Sequence, residues 1–351
     1  MKKLLLTSTA LVMTSASFAA AEVAITGSAE MGVVGGDLSV TNRAGEEFEE
    51  SIPLQFFNDV DVTFSMSGET DGGLAFGVSV DLDEAGNLGD EFDNQGVAIF
   101  ISGDFGTLTM GDTDGALDFV MTDMGNAGNP GSINDAETAH LGYNGGWLDA
   151  SGDNQVVRYD YSFDAFTFAL SVEQMPSGPA GTVLEDDDDL TWALGFGYDF
   201  DFGGGSAGVA LGYQYSDDAS IQVGGDADDA TITIPVATGE TAATGVGFDV
   251  SLDNGLAATL TYTYFDTDEG EDVDHIGIGA GYSFDAFSVH ANYGQWSSDD
   301  FDVSGFGLSA GYDLGGGASL LFGYGRSDAE EDGTDGEITI NDYSLGLSMS
   351  F

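Results

Sequence analysis

The sequence predicts an all-β protein, a 16-stranded antiparallel transmembrane β-barrel with a long third loop folded into the lumen. Three observations carry that prediction. Apolar residues alternate with small or polar ones at period 2 through most of the chain after residue 21. Glycine and aromatics are abundant, with 54 Gly, 24 Phe and 13 Tyr in 351 residues, while Pro is scarce at 5. Every second connection between alternating segments is a tight turn rich in Asp and Gly.

Residues 1–21 read as a signal peptide that is removed. Lys2 and Lys3 precede an apolar stretch from Leu4 to about Met13, and Ala19-Ala20-Ala21 offers the small residues of a cleavage site before Glu22. No later segment has the roughly 18 apolar residues that a spanning helix needs. The mature chain, 22–351, is therefore secreted, periplasmic, or membrane-spanning by the other permitted route, a closed barrel.

Sixteen alternating segments follow, at about 22–34, 57–68, 72–84, 94–103, 105–112, 156–163, 165–174, 189–200, 204–217, 244–252, 255–266, 273–284, 286–297, 303–313, 317–327 and 341–351. The last is the clearest: Tyr343, Leu345, Leu347, Met349 and Phe351 alternate with Ser344, Gly346, Ser348 and Ser350. In a soluble sandwich the greasy face would be the core and the other face would meet water. Here the polar face is Gly, Ser and Thr with scattered Asp, and Tyr and Phe gather toward strand ends, as in lipid-facing strands with aromatic girdles. Trp147, Trp192 and Trp296 read as anchors at the membrane interface or barrel rim. Seven short and eight long connections alternate strictly, which describes an up-and-down barrel with turns at one rim and loops at the other. The stretch 113–155, between the fifth and sixth segments, is too long for a hairpin, and a barrel this wide has a lumen that wall side chains cannot fill.

Charge narrows the function. Asp plus Glu number 62 against 5 Lys plus Arg, a formal net charge of −57. That excludes nucleic-acid binding, which needs a basic footprint. The absence of Cys excludes disulfides and thiolate metal sites. Removing the signal leaves Arg43, Arg158 and Arg326. Strand parity turns Arg158, Asp160, Glu30, Asp61 and Asp81 toward the lumen and Arg326 outward, and places Arg43 in the first loop. No cofactor is expected. Acidic loop runs such as Asp266–Asp272 offer oxygen ligands of the kind calcium and magnesium take, without EF-hand spacing. His140, His275 and His290 show no pairing with Ser or Asp that would support catalysis.

The mature start Glu22-Val23-Ala24-Ile25-Thr26-Gly27, the stretch Val97–Gly111, the run Val157-Arg158-Tyr159-Asp160-Tyr161 and the terminal Phe351 together resemble a Gram-negative general porin of the alphaproteobacterial branch. The resemblance covers essentially the whole mature chain. It implies a homotrimer of water-filled barrels in the outer membrane, in contact with lipid and lipopolysaccharide. It also implies a third loop that forms the pore constriction, which makes Asp112, Asp114, Asp118, Asp123, Asp135 and Glu137 the constriction acids. The last strand, with Tyr343 and Phe351, would be the signal read by the barrel-assembly machinery. Such porins usually oppose an acidic loop with a basic wall cluster. This chain has Gly111-Asp112 where the pattern often has Gly-Arg, and one candidate wall cation, Arg158. The expected function is a cation-selective diffusion channel for ions and small hydrophilic solutes, and not an enzyme. The alternatives are a solute-specific channel or a non-channel barrel, an adhesin or a barrel enzyme.

Overall fold

The computed structural model describes residues 22–42, 44–84, 93–143, 147–148, 156–174, 190–223, 234–269, 271–331 and 333–351. The expected signal peptide and Arg43 lie outside the described residues. Sixteen strands form one closed antiparallel barrel in which each strand pairs with its neighbours in sequence. They are β1 Glu22–Thr41, β2 Glu47–Glu69, β3 Ala75–Glu84, β4 Asp93–Gly103, β5 Gly106–Gly111, β6 Val156–Phe163, β7 Phe166–Gln174 and β8 Leu190–Phe202. The second half is β9 Gly205–Val223, β10 Ile234–Leu252, β11 Leu256–Glu269, β12 Val273–Phe284, β13 Phe287–Ser297, β14 Phe301–Gly315, β15 Ala318–Glu331 and β16 Glu337–Ser350. Pairing of β1 with β16, from Ser28 opposite Ser350 to Thr41 opposite Glu337, closes the sheet. The Phe351 amide donates to Gly27 O at 2.9 Å and extends that seam by one residue. Closure matters because an open edge in lipid would leave amides unpaired at several kcal/mol each.

The two faces invert the usual order of a soluble protein. On β12, Ile276, Ile278 and Tyr282 are exposed while His275, Gly277, Gly279 and Gly281 are buried. The greasy row therefore points out to lipid, and the small and polar row points into the barrel. Aromatics gather at the turn-side rim, where Phe166 packs on Tyr198 and Phe287 on Tyr312. A second belt near the loop side includes Trp192, which packs on Tyr213 and Tyr215. These are the two girdles of a transmembrane barrel. The tight turns match expectation. Asp164 and Asp285 open two of them with φ of 52° and 50°, a left-handed conformation that Asp tolerates better than most residues.

The loop side differs from expectation. The first loop, read as 35–56, is only residues 42–46, pinned by Asn42 Oδ1 accepting from the Ala44 and Glu46 amides at 2.9 and 3.0 Å. β9, β10, β15 and β16 also run on past the end of their apolar alternation. The reason is solvent: above the membrane a strand no longer needs a greasy outer face, so the alternation stops before the strand does. Several connections expected to be long are thus three to five residues, such as 298–300 and 332–336. The region 113–155 stays long, and its described residues hold a short helix, α1 Ala116–Val120, and two single 3-10 turns.

Candidate functional site: the lumen and the loop inside it

After β5 the chain leaves the wall and runs along its inner face. Arg158 Nη1 donates to Asp114 O at 2.7 Å, and the Ala116 amide donates to Ser171 Oγ at 2.8 Å. These bonds fix α1 against β6 and β7. Leu117 then fills the space over Gly212 and Gly245. Farther round, Thr259 Oγ1 donates to Thr122 O at 3.0 Å, and a ring nitrogen of His290 bonds Ala127 O at 2.9 Å. Ile133 marks the turning point, where it lies in an apolar cluster with Val34, Leu321 and Phe57. The return leg sits beside the first. Asn292 Nδ2 donates to Thr138 O at 2.8 Å, the Leu141 amide to Ser327 Oγ at 2.9 Å, and the Leu148 amide to Gln214 Oε1 at 2.8 Å. His275 bonds Gly142 O at 3.1 Å.

Between loop and wall lies a true core. Leu117, Leu148, Phe265, Val273, Trp296 and Val303 are all at 0% exposure, and Trp296 packs on His275 and Phe265 with ring centroids 4.4 and 5.4 Å apart. Trp296, expected as an anchor at the membrane interface or barrel rim, instead points inward and is fully buried under the loop. Trp147 also packs against this core, while Trp192 faces outward as expected. The apolar inner residues let a loop bury surface inside a barrel, at about 25 cal/mol per Å².

The wall that this core leaves bare is β1 to β4, and it is acidic. Glu30 stands opposite Asp59 in the β1–β2 register, and Ser28 opposite Asp61. Ser28 Oγ donates to Asp61 Oδ2 at 2.8 Å, and Thr63 Oγ1 donates to Asp81 Oδ1 at 3.0 Å. Asp135, at the loop's turning point, faces this wall and is open to the lumen's water. Enclosure by the barrel pushes its carboxyl above the usual range, and the charges of Asp59 and Asp61 push it further.

The other expected constriction acids scatter. Asp112 and Asp114 are exposed where the loop starts, and Asp118 is half-buried on α1. Asp123 is half-buried beside Tyr143, and burial raises its carboxyl. Glu137 is fully buried, with Ser132 Oγ donating to Oε2 at 2.7 Å. Arg158 corrects the largest expectation. It is 2% exposed, covered by Phe119 at 3.9 Å from ring centroid to guanidinium carbon, and paired with Asp160 at 3.5 Å. Its charge is spent on holding the loop, not on lining an open wall. Arg326 faces outward as expected, in a bidentate pair with Asp328 at 2.6 and 2.7 Å.

Known proteins share this plan. The chain matches the family of Gram-negative porins over residues 7–332. It is a Gram-negative porin. Over 314 residues it is 31% identical to a porin of Rhodobacter capsulatus, covering 88% of this chain and 95% of that one. Among solved structures, a porin refined at 1.8 Å resolution is 24% identical with a TM-score of 0.58, covering 94% of this chain and all of that one. A loop-deletion form of the Vibrio cholerae outer-membrane protein OmpT gives 13% identity and a TM-score of 0.60, covering 94% of this chain and 99% of that one. At these identities the two structures speak for the fold. The porin is accordingly a multi-pass β-barrel of the outer membrane and a diffusion channel.

Two features of the porin's lumen escape the sequence reading. Asp59 has the same parity as Asp61 two residues on, so alternation alone could have found it. The inward apolar residues Phe265, Val273, Trp296 and Val303 break the polar inner row, and each break is a signal that something apolar covers the wall there.

Proposed function

We propose that this porin passes small cations ahead of anions, through an opening bounded on one side by Asp135 and on the other by Glu30, Asp59, Asp61 and Asp81. One observation carries the reading: the lumen's bare wall is acidic, while both described arginines are already engaged by neighbouring carboxylates. Burial pushes the loop's His140 down to about 4, so it adds no positive charge near neutral pH. Rings of carboxylates favour cations in a pore, and a confined, like-charged lumen focuses the potential. Catalysis has no part in this reading, because His140, His275 and His290 all lie buried in loop–wall contacts.

The porin works as a homotrimer in this proposal. The wall is lowest at β3 to β7, with strands of 10, 11, 6, 8 and 9 residues, and beside it β2 exposes Phe48, Leu54 and Phe56, the last at 94%. A low, greasy stretch of wall suits contact with a second copy. Tyr343, midway along β16, and Phe351, just past its end, belong to the strand that closes the barrel and serve as its assembly signal. Calcium or magnesium enters only as a bridge between acidic outer loops and lipopolysaccharide.

The test is the zero-current potential of the purified protein in a planar bilayer under a potassium chloride gradient. At about 0.01 M salt, where charges reach about 30 Å, potassium preference is expected at pH 7. It should fade toward about 1 M, where the reach is about 3 Å. An unselective or chloride-preferring pore at low salt defeats the proposal.

A further inference from the structure

The third loop lies against the wall at points where the wall has no side chain. A Cβ built on Gly195 would overlap Ala116 O, one on Gly279 would overlap Met124 O, and one on Gly281 would overlap Ala127 O. On the return leg, a Cβ on Gly294 would overlap Gly142 O, and one on Gly325 would lie 2.6 Å from Glu137 O. These glycines sit on β8, β12, β13 and β15, so the contact line follows the loop around the barrel. In every case the obstructing atom is backbone, which cannot swing aside as a long side chain would.

None of these five glycines has a positive φ, so the strands themselves do not require glycine there. Glycine inside an element costs roughly 0.5–1 kcal/mol relative to Ala. What offsets that cost is close approach of loop backbone to wall backbone. Elsewhere the same inward row carries glycine with room to spare: at Gly197, on β8 one step from Gly195, the nearest atom is Thr167 Cβ at 3.6 Å. Gly247 is intermediate, since its Cβ would meet the flexible Met121 side chain at 3.1 Å.

We propose that the glycines beneath the loop are positioning residues that set its stand-off from the wall, and through it the width of the passage. The inference rests on the reading that the loop bounds that passage. Placing a methyl beneath the loop pushes its backbone off the wall into open lumen, the one direction free of packed protein. The passage narrows by the distance the loop moves, and the wall itself does not change.

The experiment compares single-channel conductance of Gly279→Ala, Gly294→Ala, Gly247→Ala and Gly197→Ala, each checked for a folded barrel by heat-modifiable electrophoretic mobility. Moving an overlapping atom out to contact distance takes about 1.5 Å, so conductance should fall roughly 1.5-fold in Gly279→Ala and Gly294→Ala. It should fall less in Gly247→Ala and stay at the wild-type level in Gly197→Ala. In a barrel lacking 116–143, Gly279→Ala should have no effect, which separates loop displacement from any change in the wall. Unchanged or raised conductance in folded Gly279→Ala and Gly294→Ala overturns the proposal. If the 116–143 deletion alone leaves conductance unchanged, the loop does not bound the passage and both readings fall. If the deletion widens the pore while the glycine variants are silent, only this inference falls. Should Gly279→Ala fail to fold, the graded pair Gly247→Ala and Gly294→Ala carries the same comparison.

Discussion

One side of the lumen wall, β7 to β15, is covered; on the other, β1 to β4, the loop's apolar contact is confined to Ile133 against Val34 and Phe57, and the acids beside it are left bare. Under the loop the inward residues are Gly, Ala, Thr and His with a few large apolar groups, and they touch other protein. On the bare side they include Ser28, Glu30, Asp59, Asp61, Thr63 and Asp81, which stay half-exposed, with Ser28 bonded to Asp61 and Thr63 to Asp81. The same strand geometry thus carries two chemistries. The covered side behaves as a protein interior, where volume and hydrogen-bond partners decide what fits. The bare side behaves as a surface inside a confined space, where charge decides what passes. Arg158 shows how position changes a residue's work: the one inward-facing arginine among the described residues lies on the covered side, so it secures the loop and leaves the acids opposite Asp135 unopposed.

Erasing the comparison should have the largest effect. Deleting 116–143 removes what covers the wall, while each strand keeps both of its hydrogen-bonded neighbours. The barrel should still insert, with conductance raised severalfold and larger sugars admitted in liposome-swelling assays. Loss of insertion would mean that the inner core is needed for the barrel itself.

Releasing one end of the loop should have a smaller effect. Arg158→Ala removes the donor to Asp114 O and strands Asp160 without its partner. Breaking a fully buried pair costs about 3–5 kcal/mol, and the partial exposure of Asp160 lowers the cost here. Conductance should become noisy and the loop should become open to protease, with little change in potassium preference. A large, quiet shift toward cations would instead mean that Arg158 faces the permeating ions.

The pH dependence should be smaller still. Burial pushes the Glu137 carboxyl from 4.5 up to about 7, offset in part by the hydroxyls of Ser344 and Ser132, while Asp342 adds to the rise. A raised carboxyl pKa favours the seated loop most fully below about pH 4.5, and that contribution is lost as pH rises through about 7. Protease cleavage within the loop should therefore be faster at pH 8.5 than at pH 5. Glu137→Gln should flatten the profile. A profile that rises on acidification would contradict the burial of this group.

Much of the fold was legible because lipid imposes it. Tyr343 to Phe351 must alternate to cover one face with apolar groups, and tight turns such as Asp253–Gly255 need particular residues. Strand ends beyond the membrane were not legible, since Glu47-Phe48-Glu49-Glu50 extends β2 with three acids around one Phe and no sustained apolar alternation to mark it. The site was legible in part. Parity alone turned Glu30, Asp61, Asp81 and Arg158 inward, but it says nothing of what lies over them. Whether Arg158 is open or covered depends on the path of a loop whose contacts are all distant in sequence, such as Leu148 to Gln214 or Asn292 to Thr138. The glycines beneath that path looked like ordinary small inward residues until the loop was in place.

The central claim is that charge selection belongs to the bare wall and not to the loop acids Asp123 and Glu137. Zero-current potentials at low salt and pH 7 should be compared for two triple or double variants. One is Glu30→Gln with Asp61→Asn and Asp81→Asn; the other is Asp123→Asn with Glu137→Gln. The account predicts that the wall variant loses most of its potassium preference while the loop variant keeps it. Loss in the loop variant, with the wall variant unchanged, would contradict it.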